Sequence, residues 1–254
     1  MSVLFITAAT KNTGLAIAEK FADNGFDIAL SSRNLGDAQA AAAYISEKYH
    51  VKSKGYALEL TNVPQIRSVF GQIKEDFGGI DTFVANAANL GVDTNLLTID
   101  EEEYENVMDV NLKGSFFCAQ QAALIMKESH GGSVVFVSSV HSHQCIFGRS
   151  LYSASKGGIN SLMRAMAIEL AQYNIRANCI IAGAIRTDRW DNLTKDQMAA
   201  RRANWPLGIE STGEDIANGV FYLGSDLSKT VTGTELTVDS GISISLLPYK
   251  EAKR

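Results

Sequence analysis

A tyrosine and a lysine stand four residues apart near the end of the segment SSVHSHQCIFGRSLYSASK. In a helix, that spacing places the phenol of Tyr152 and the ammonium of Lys156 on one face, within mutual influence. A phenol titrates at about pH 10, and an adjacent ammonium lowers that pKa because it favours the phenolate. Ser139 ends the preceding apolar run and can reach the same point. These side chains are candidates for proton transfer, with an ordinary surface pair as the alternative for Tyr152 and Lys156.

The segment TAATKNTG, residues 7 to 14, stands where an apolar run turns into a helical pattern. Such a turn offers backbone N–H groups and a helix N-terminus to a phosphate, and glycine is used where a side chain blocks close approach. Gly14 is the only glycine here, but Ala8 adds just a methyl group and Asn12 tolerates a positive φ angle. The segment predicts a glycine-poor phosphate-binding loop or, alternatively, a purely structural turn.

The second apolar run ends in FDIALSSRN, where a dinucleotide site normally has an acidic residue for the ribose hydroxyls. Ser31, Ser32 and Arg33 stand there instead. A guanidinium suits a 2′-phosphate, and Lys11 can supply a second positive charge to it. The pair indicates NADP(H) rather than NAD, unless both are ordinary surface charges.

Short apolar runs alternate with amphipathic stretches along all 254 residues. Runs that are apolar throughout predict strands covered on both faces, so we expect an α/β fold with a doubly wound parallel sheet flanked by helices, in one domain over residues 1–254. The site of such a sheet lies beyond the carboxyl ends of its strands. The residues at those ends are Thr7, Ser31, Glu59, Ala85, Ser139 and Gly183.

Composition narrows the class of protein. The formal net charge is −5 with no basic stripe, which argues against nucleic-acid binding. Cys118, Cys145 and Cys179 are odd in number and far apart, so neither a disulfide framework nor a metal site is expected. The first apolar stretch is too short to span a membrane and has no basic flank. We expect a cytoplasmic protein that does not bind membranes.

Taken together, the motifs resemble the short-chain dehydrogenase/reductase family from about residue 3 to residue 245. They are, in order, TAATKNTG, VANAA, Asn111 in VMDVNLKG, Ser139, the YSASK motif and AGAIRTD. The resemblance implies a Rossmann-like fold with Tyr152 as proton donor or acceptor and Ser139 orienting the substrate oxygen. It implies that Lys156 binds the nicotinamide ribose, and that Asn111 interrupts a long helix and holds a water of the proton relay.

The resemblance also implies the cofactor-binding positions. Ala8, Asn12, Ala85 and Ala182 depart from the family pattern, whereas the four catalytic positions are intact, which favours a working NADP(H) site. The expected cofactor-binding residues are Thr7, Lys11, Asn12, Thr13, Gly14, Ser32, Arg33, Glu59, Leu60, Asn86, Ala87, Tyr152, Lys156, Gly183, Ile185 and Thr187.

Two loops are expected over the substrate, since the family resemblance puts them there. They carry His141, His143, Arg189 and Trp190, which together with Ser139 predict a polar lining for a sugar, polyol or sugar acid. The histidines alternatively face solvent, and Trp190 alternatively packs between subunits. A 3-oxoacyl thioester remains a competing substrate.

Two other readings stay open. A non-catalytic NADP-binding sensor or scaffold would keep the fold without turnover, and a dehalogenase-like relative would use a Ser-Tyr-Arg set, which Lys156 argues against. Apolar helices at about residues 100–128 and 152–173 predict a homodimer or homotetramer.

Overall fold

The computed structural model describes residues 2–92, 95–203 and 205–245, with Arg189 described only in its backbone. Seven parallel strands form one sheet in the order β3-β2-β1-β4-β5-β6-β7. This is the doubly wound sheet that the apolar runs predict. The strands are β1 (Val3–Ile6), β2 (Asp27–Ser32), β3 (Ser53–Ala57), β4 (Thr82–Ala85), β5 (Gly132–Ser139), β6 (Ile175–Ala182) and β7 (Glu235–Val238).

Helices cover both faces of the sheet, which explains why the central strands are apolar on both sides. In β1, Phe5 packs in one core layer with Phe70 and Met163, whereas Leu4 packs in the other with Phe21. The α-helices are α1 (Asn12–Asp23), α2 (Leu35–Tyr49), α3 (Val63–Phe77), α4 (Glu101–Met108), α5 (Ser115–Lys127), α6 (Ser150–Glu169), α7 (Lys195–Arg202) and α8 (Gly213–Gly224).

Local sequence sets where several helices begin and end. The side chain of Asn34 accepts a hydrogen bond from the Asp37 backbone N–H at the start of α2. Thr212 and Asp215 form a reciprocal capping box at the start of α8. Gly78, at φ 83°, ends α3 in the left-handed conformation that glycine adopts without a steric penalty. These residues set the start of α2, the start of α8 and the end of α3.

The stretch from about residue 100 to 128 is not one regular helix. Between α4 and α5 lies a π-helical segment, Asp109–Gly114, which contains Asn111. Single π-helical turns inside α-helices are frequent at functional sites. The interruption at Asn111 that the family resemblance implied is therefore present.

The described residues contain no helix that is both long enough and apolar enough to span a membrane. In the same part of the chain, no cluster of three or more His, Cys, Asp or Glu side chains has the arrangement of a metal site.

Candidate active site

A cavity of about 1070 Å³ lies beyond the carboxyl ends of β1, β4, β5 and β6. It brings together segments that are far apart in the chain, because parallel strands deliver all their carboxyl ends to one edge. The sequence-predicted residues that line it are Lys11, Asn12, Thr13, Gly14, Asn86, Ala87, Ser139, His141, Tyr152, Lys156, Gly183, Ile185, Thr187 and Trp190.

The loop after β1 is tied to the end of β4 by four hydrogen bonds, all donated from the β4 side. Thr7 Oγ1 accepts from the backbone N–H groups of Asn86 and Ala87, at 3.1 and 3.2 Å. Asn86 Nδ2 donates to the carbonyl oxygens of Thr7 and Ala8, at 3.1 and 3.0 Å. The loop is thus held from β4 and does not depend on its own glycines for position.

Two non-glycine residues of this loop have positive φ angles. Asn12 is at 49°, which agrees with its tolerance for that region, and Ala8 is at 54°. For alanine this conformation costs about 1 to 2 kcal/mol. Nothing in the sequence indicated this strained conformation. The hydrogen bond from Asn86 Nδ2 to the Ala8 carbonyl oxygen helps to stabilise it.

Gly14 is retained where no side chain fits. A Cβ atom there would lie 2.3 Å from the Ala8 carbonyl oxygen and 2.7 Å from Asn86 Nδ2. Both distances are well inside van der Waals contact. Helix α1 can therefore approach the loop closely only because residue 14 has no Cβ, and residues 12 to 14 at its start line the cavity.

Tyr152 and Lys156 lie in the first two turns of α6, and both are buried, which excludes the surface pair. Lys156 Nζ lies 5.6 Å from the centroid of the Tyr152 ring and donates to the Val137 carbonyl oxygen at 2.8 Å. Burial lowers the pKa of Lys156 to about 8. Burial also raises the pKa of the nearby Cys179 thiol, so its neutral sulfur gives the ammonium no counter-charge.

Ser139 is the last residue of β5 and is only 7% exposed. Its Oγ accepts a hydrogen bond from the His141 backbone N–H at 3.2 Å. A hydroxyl that accepts one bond still has its own proton to donate. Ser139 is therefore equipped to donate to an oxygen in the cavity.

Asn111 is fully buried and connects three segments around Tyr152. Its Oδ1 accepts from the Asn89 N–H at 2.6 Å, and its Nδ2 donates to the Asn89 carbonyl at 2.8 Å and to Ser155 Oγ at 3.0 Å. Ser155 Oγ in turn donates to the Tyr152 carbonyl at 2.8 Å. Asn111 thus fixes the π-helical segment against α6 and against the loop after β4. Its role in holding a relay water stays a prediction.

Comparison with known proteins agrees with this arrangement. A family model described as enoyl-(acyl carrier protein) reductase matches residues 7–243. A 3alpha-hydroxysteroid dehydrogenase of Mediterraneibacter gnavus is 34% identical over 93% of this chain and 95% of its own length. The chain belongs to the short-chain dehydrogenase/reductase family. It is thus an oxidoreductase acting on CH–OH or carbonyl groups, and its family binds nicotinamide cofactors.

Other members of the family match over similar lengths. A protein of Yarrowia lipolytica named "Probable NADP-dependent mannitol dehydrogenase" is 32% identical over 94% of this chain and 86% of its own. The 3-oxoacyl-acyl-carrier-protein reductase of Haemophilus influenzae is 31% identical over 96% and 98%. The crystal structure of a short-chain type dehydrogenase/reductase from Mycobacterium marinum superposes with a TM-score of 0.86, at 28% identity and 96% coverage of each chain.

A nicotinamide cofactor fits this dehydrogenase/reductase. One cavity is lined both by the loop around Gly14, at the start of α1, and by Tyr152 and Lys156. Gly183, Ile185 and Thr187 border the same cavity after β6. The backbone of Ile185 pairs with Ser211, which holds this segment in an extended form.

Five predicted cofactor residues do not line the cavity: Thr7, whose hydroxyl is bonded to Asn86 and Ala87, and four residues at or after the ends of β2 and β3. Ser32 Oγ accepts from the Asn34 backbone N–H at 3.3 Å, Arg33 is exposed, and Leu60 is buried. The Glu59 carboxylate accepts from both the backbone N–H and the hydroxyl of Thr61 at 3.3 Å. These four residues follow β2 and β3, so they extend the edge beyond the cavity.

An ion pair links the two loops that border the cofactor side of the cavity. Lys11 Nζ lies 3.5 Å from Asp188 Oδ2, and both side chains are more than half exposed. Solvent screens such a pair, which contributes little to stability. The lysine is therefore available to an incoming phosphate group.

His141 and Trp190 lie at the cavity as predicted. The His141 ring packs edge-on against Tyr152 at 5.9 Å between centroids. Trp190 is 6% exposed and packs against Trp205 at 5.8 Å, so the Trp190 ring is buried within this chain. The Arg189 side chain lies outside the described residues, and its predicted contact with substrate stays a prediction.

His143 does not line the cavity, which corrects its predicted place beside the substrate. Its Nε2 lies 2.5 Å from Glu235 Oε2 at the start of β7, and the other Glu235 oxygen accepts from Arg164 at 2.6 Å. The carboxylate on the edge strand draws the imidazole away from the site. It faces a smaller neighbouring cavity of about 500 Å³ instead.

Several lining residues were not foreseen from the sequence. Arg149 Nη1 donates to the Leu90 carbonyl oxygen at 3.1 Å, and Asn192 and Arg201 also border the cavity. The position of Arg149 just before α6 was a usable signal, because this loop leads directly to Tyr152. Nothing in the pattern of α7 indicated that Arg201 faces inward.

Replacing Gly14 by Ala is expected to reduce both stability and cofactor binding. The new methyl group must displace the Ala8 carbonyl or Asn86, which costs about 1 to 3 kcal/mol for overpacking. Urea unfolding measures the stability, and NADPH fluorescence titration measures the dissociation constant, which we expect to rise about tenfold or more.

The matched control for Gly14 is Gly71→Ala. Gly71 is exposed in helix α3, and a Cβ there meets no atom within 4 Å. This variant is expected to gain about 0.5 to 1 kcal/mol and to bind NADPH normally. Unchanged binding by the Gly14 variant would contradict the close-approach explanation.

Replacing Lys156 by Met is expected to change how stability depends on pH. The pKa of Lys156 is about 8 in the folded protein against 10.5 for the free side chain, so the unfolded chain holds the proton more tightly. This group therefore destabilises the fold below pH 8, and the penalty disappears as pH rises from about 8 to 10.5. The destabilisation below pH 8 amounts to about 3 kcal/mol.

The measurement is urea unfolding of both proteins without cofactor at pH 7 and pH 10.5. The stability of the Met variant relative to the wild type should be highest at pH 7 and should fall by about 3 kcal/mol at pH 10.5. Other groups titrate in this range but are common to both proteins. A difference that is independent of pH would show that Lys156 keeps its ordinary pKa.

Proposed function

We propose that this protein is an NADP(H)-dependent oxidoreductase that interconverts a ketone and a secondary alcohol on a small polar substrate. The observation that carries the proposal is the buried Lys156 beneath Tyr152, in a cavity whose opposite side is the loop around Gly14. A dehydrogenase/reductase that had lost its activity would have no reason to keep an uncompensated ammonium in its interior.

The bound cofactor supplies or accepts the hydride at the carbon. In the direction of reduction, the Tyr152 hydroxyl donates its proton to the substrate oxygen, and in oxidation the phenolate takes that proton back. Ser139 donates a hydrogen bond to the same oxygen and so fixes its position. Lys156 lies close to the Tyr152 ring and favours the phenolate electrostatically. Asn111 positions Tyr152 through Ser155.

The preference for NADP(H) rests on charge at the two predicted phosphate contacts. Lys11 lines the cavity, Arg33 is exposed at the end of β2, and no acidic side chain stands at Ser31 or Ser32 to accept bonds from a free ribose. The Yarrowia relative, which has NADP dependence in its name, supports this choice.

The polar substrate is supported by the lining and by relatives. His141 and Arg149 are half-buried at the cavity and Asn192 borders it with an exposed side chain, so all three can offer hydrogen bonds to a polar substrate. The Yarrowia lipolytica relative is named for mannitol, a compound of this class. Relatives named as 3-oxoacyl reductases keep an acyl thioester as the second candidate.

We further propose a homodimer or homotetramer, in which α5 and α6 pack against a second copy. Phe116 and Leu124 on α5 are 41% and 50% exposed, and Ile168 on α6 is 80% exposed. Apolar side chains of this size favour burial. The three free cysteines support a reducing, cytoplasmic location.

Replacing Tyr152 by Phe removes the acidic proton and keeps the ring. Turnover of the preferred ketone should fall by about a hundredfold to ten-thousandfold, as is typical of general acid catalysis, while NADPH still binds. Steady-state absorbance at the nicotinamide band and fluorescence titration measure the two quantities. Tyr104→Phe, on exposed α4, is the control. Near-normal turnover by the Tyr152 variant would remove the proton-donor assignment.

Replacing Arg33 by Asp should move the cofactor preference towards NAD. The carboxylate repels a 2′-phosphate and accepts hydrogen bonds from a free ribose hydroxyl. The measurement is the ratio of kcat/KM for NADPH to that for NADH. Arg67→Asp makes the same charge change on the exposed surface of α3 and should leave the ratio unchanged. Equal ratios in all three proteins would mean that Arg33 does not contact the cofactor.

A further inference from the structure

Helix α7 carries two adjacent arginines with different surroundings. Arg202 is bound to Glu210 through two hydrogen bonds of 2.6 Å, and this pair holds the helix in place. Arg201 points to the cavity, where its guanidinium carbon lies 5.2 Å from the centroid of the Trp190 ring. Among the described residues, no side chain or carbonyl oxygen accepts a hydrogen bond from the Arg201 guanidinium.

The charges around the cavity are unequal. Its described lining contains the cations Lys11, Arg149, Lys156 and Arg201 but only one acid, Asp188. Asp188 pairs with Lys11, Lys156 donates to Val137, and Arg149 donates to Leu90. Arg201 is exposed, and its described contact is the Trp190 ring, so its N–H donors face solvent and are open to a ligand in the cavity.

A guanidinium beside an indole face can still bind an anion. The cation–π contact uses the positive charge of the group and leaves its N–H donors open to a partner. A carboxylate matches the edge of a guanidinium with two hydrogen bonds. The buried Trp190–Trp205 pair fixes the aromatic surface on which Arg201 rests.

We propose that the substrate is a keto acid or hydroxy acid whose carboxylate binds Arg201. This inference rests on the proposed function, and it names the substrate class within it. The cofactor also carries anionic groups, but Lys11, Arg33 and the start of α1 already serve its phosphates in that proposal. Arg201 therefore determines specificity for a substrate that carries a carboxylate.

The first experiment compares two six-carbon ketones that differ at one end, L-sorbose and 5-ketogluconate. The wild type should prefer the acid. Arg201→Gln should lower kcat/KM for the acid by about tenfold to a hundredfold, mainly through KM, which corresponds to a lost charged hydrogen bond. Activity on sorbose should change less than about twofold. Lys195→Gln, an exposed position on the same helix outside the cavity, should match the wild type.

The second experiment does not depend on turnover. Gluconate should raise the unfolding temperature of the wild type more than the neutral polyol glucitol does, and Arg201→Gln should lose this difference. If no ketone is reduced but gluconate still stabilises the wild type through Arg201, the proposed function fails and the anion site stands.

Three results would overturn the inference. The first is acid preference retained in Arg201→Gln, and the second is a wild type that gluconate does not stabilise. The third combines two observations on Arg201→Gln: weaker NADPH binding by fluorescence titration, and equal losses of kcat/KM for both ketones. This result would assign Arg201 to a cofactor phosphate.

Discussion

The site is organised around an ammonium that is held away from water. Lys156 is 2% exposed, lies between α6 and the end of β5, and has a backbone carbonyl as its hydrogen-bond acceptor. Desolvation of a charge is costly, and here no described carboxylate offsets it. The packing of the two large core layers, which holds α6 against the sheet, offsets this cost. Because Lys156 is held away from water, its positive potential at Tyr152 is not screened by solvent.

The phosphate loop shows how one anchor replaces several glycines. Loops of this kind ordinarily reach their conformation through glycine, whereas here Ala8 and Asn12 take up positive φ angles. Asn86 and Ala87 donate four hydrogen bonds to Thr7 and Ala8, which fix the loop from the neighbouring strand. Only Gly14 cannot be replaced, because steric contact rather than backbone conformation decides that position.

Two halves of the site differ in how far sequence predicted them. Residues at strand ends, such as Ser139 and Gly183, were predictable because a parallel sheet brings every carboxyl end to one edge. Residues on the covering loops were predictable only in part, since His141 and Trp190 line the cavity but His143 does not and Arg201 was not foreseen. His143 is directed to Glu235, a residue ninety-two positions away, and Arg201 borders the cavity on a helix whose neighbouring Arg202 is bound to Glu210. Local pattern does not contain such long-range pairings.

The sequence alone determined the parallel sheet, the strand ends, and the Tyr152–Lys156 spacing, because these follow from periodicity and chain geometry. Tertiary structure decided the burial, protonation and backbone conformation of the site residues. It buried Lys156 and so lowered its pKa to about 8, broke the helix at Asn111 into a π-helical turn, and strained Ala8. Burial, strain and charge balance depend on atoms contributed by distant segments, and they exist only once the segments have packed.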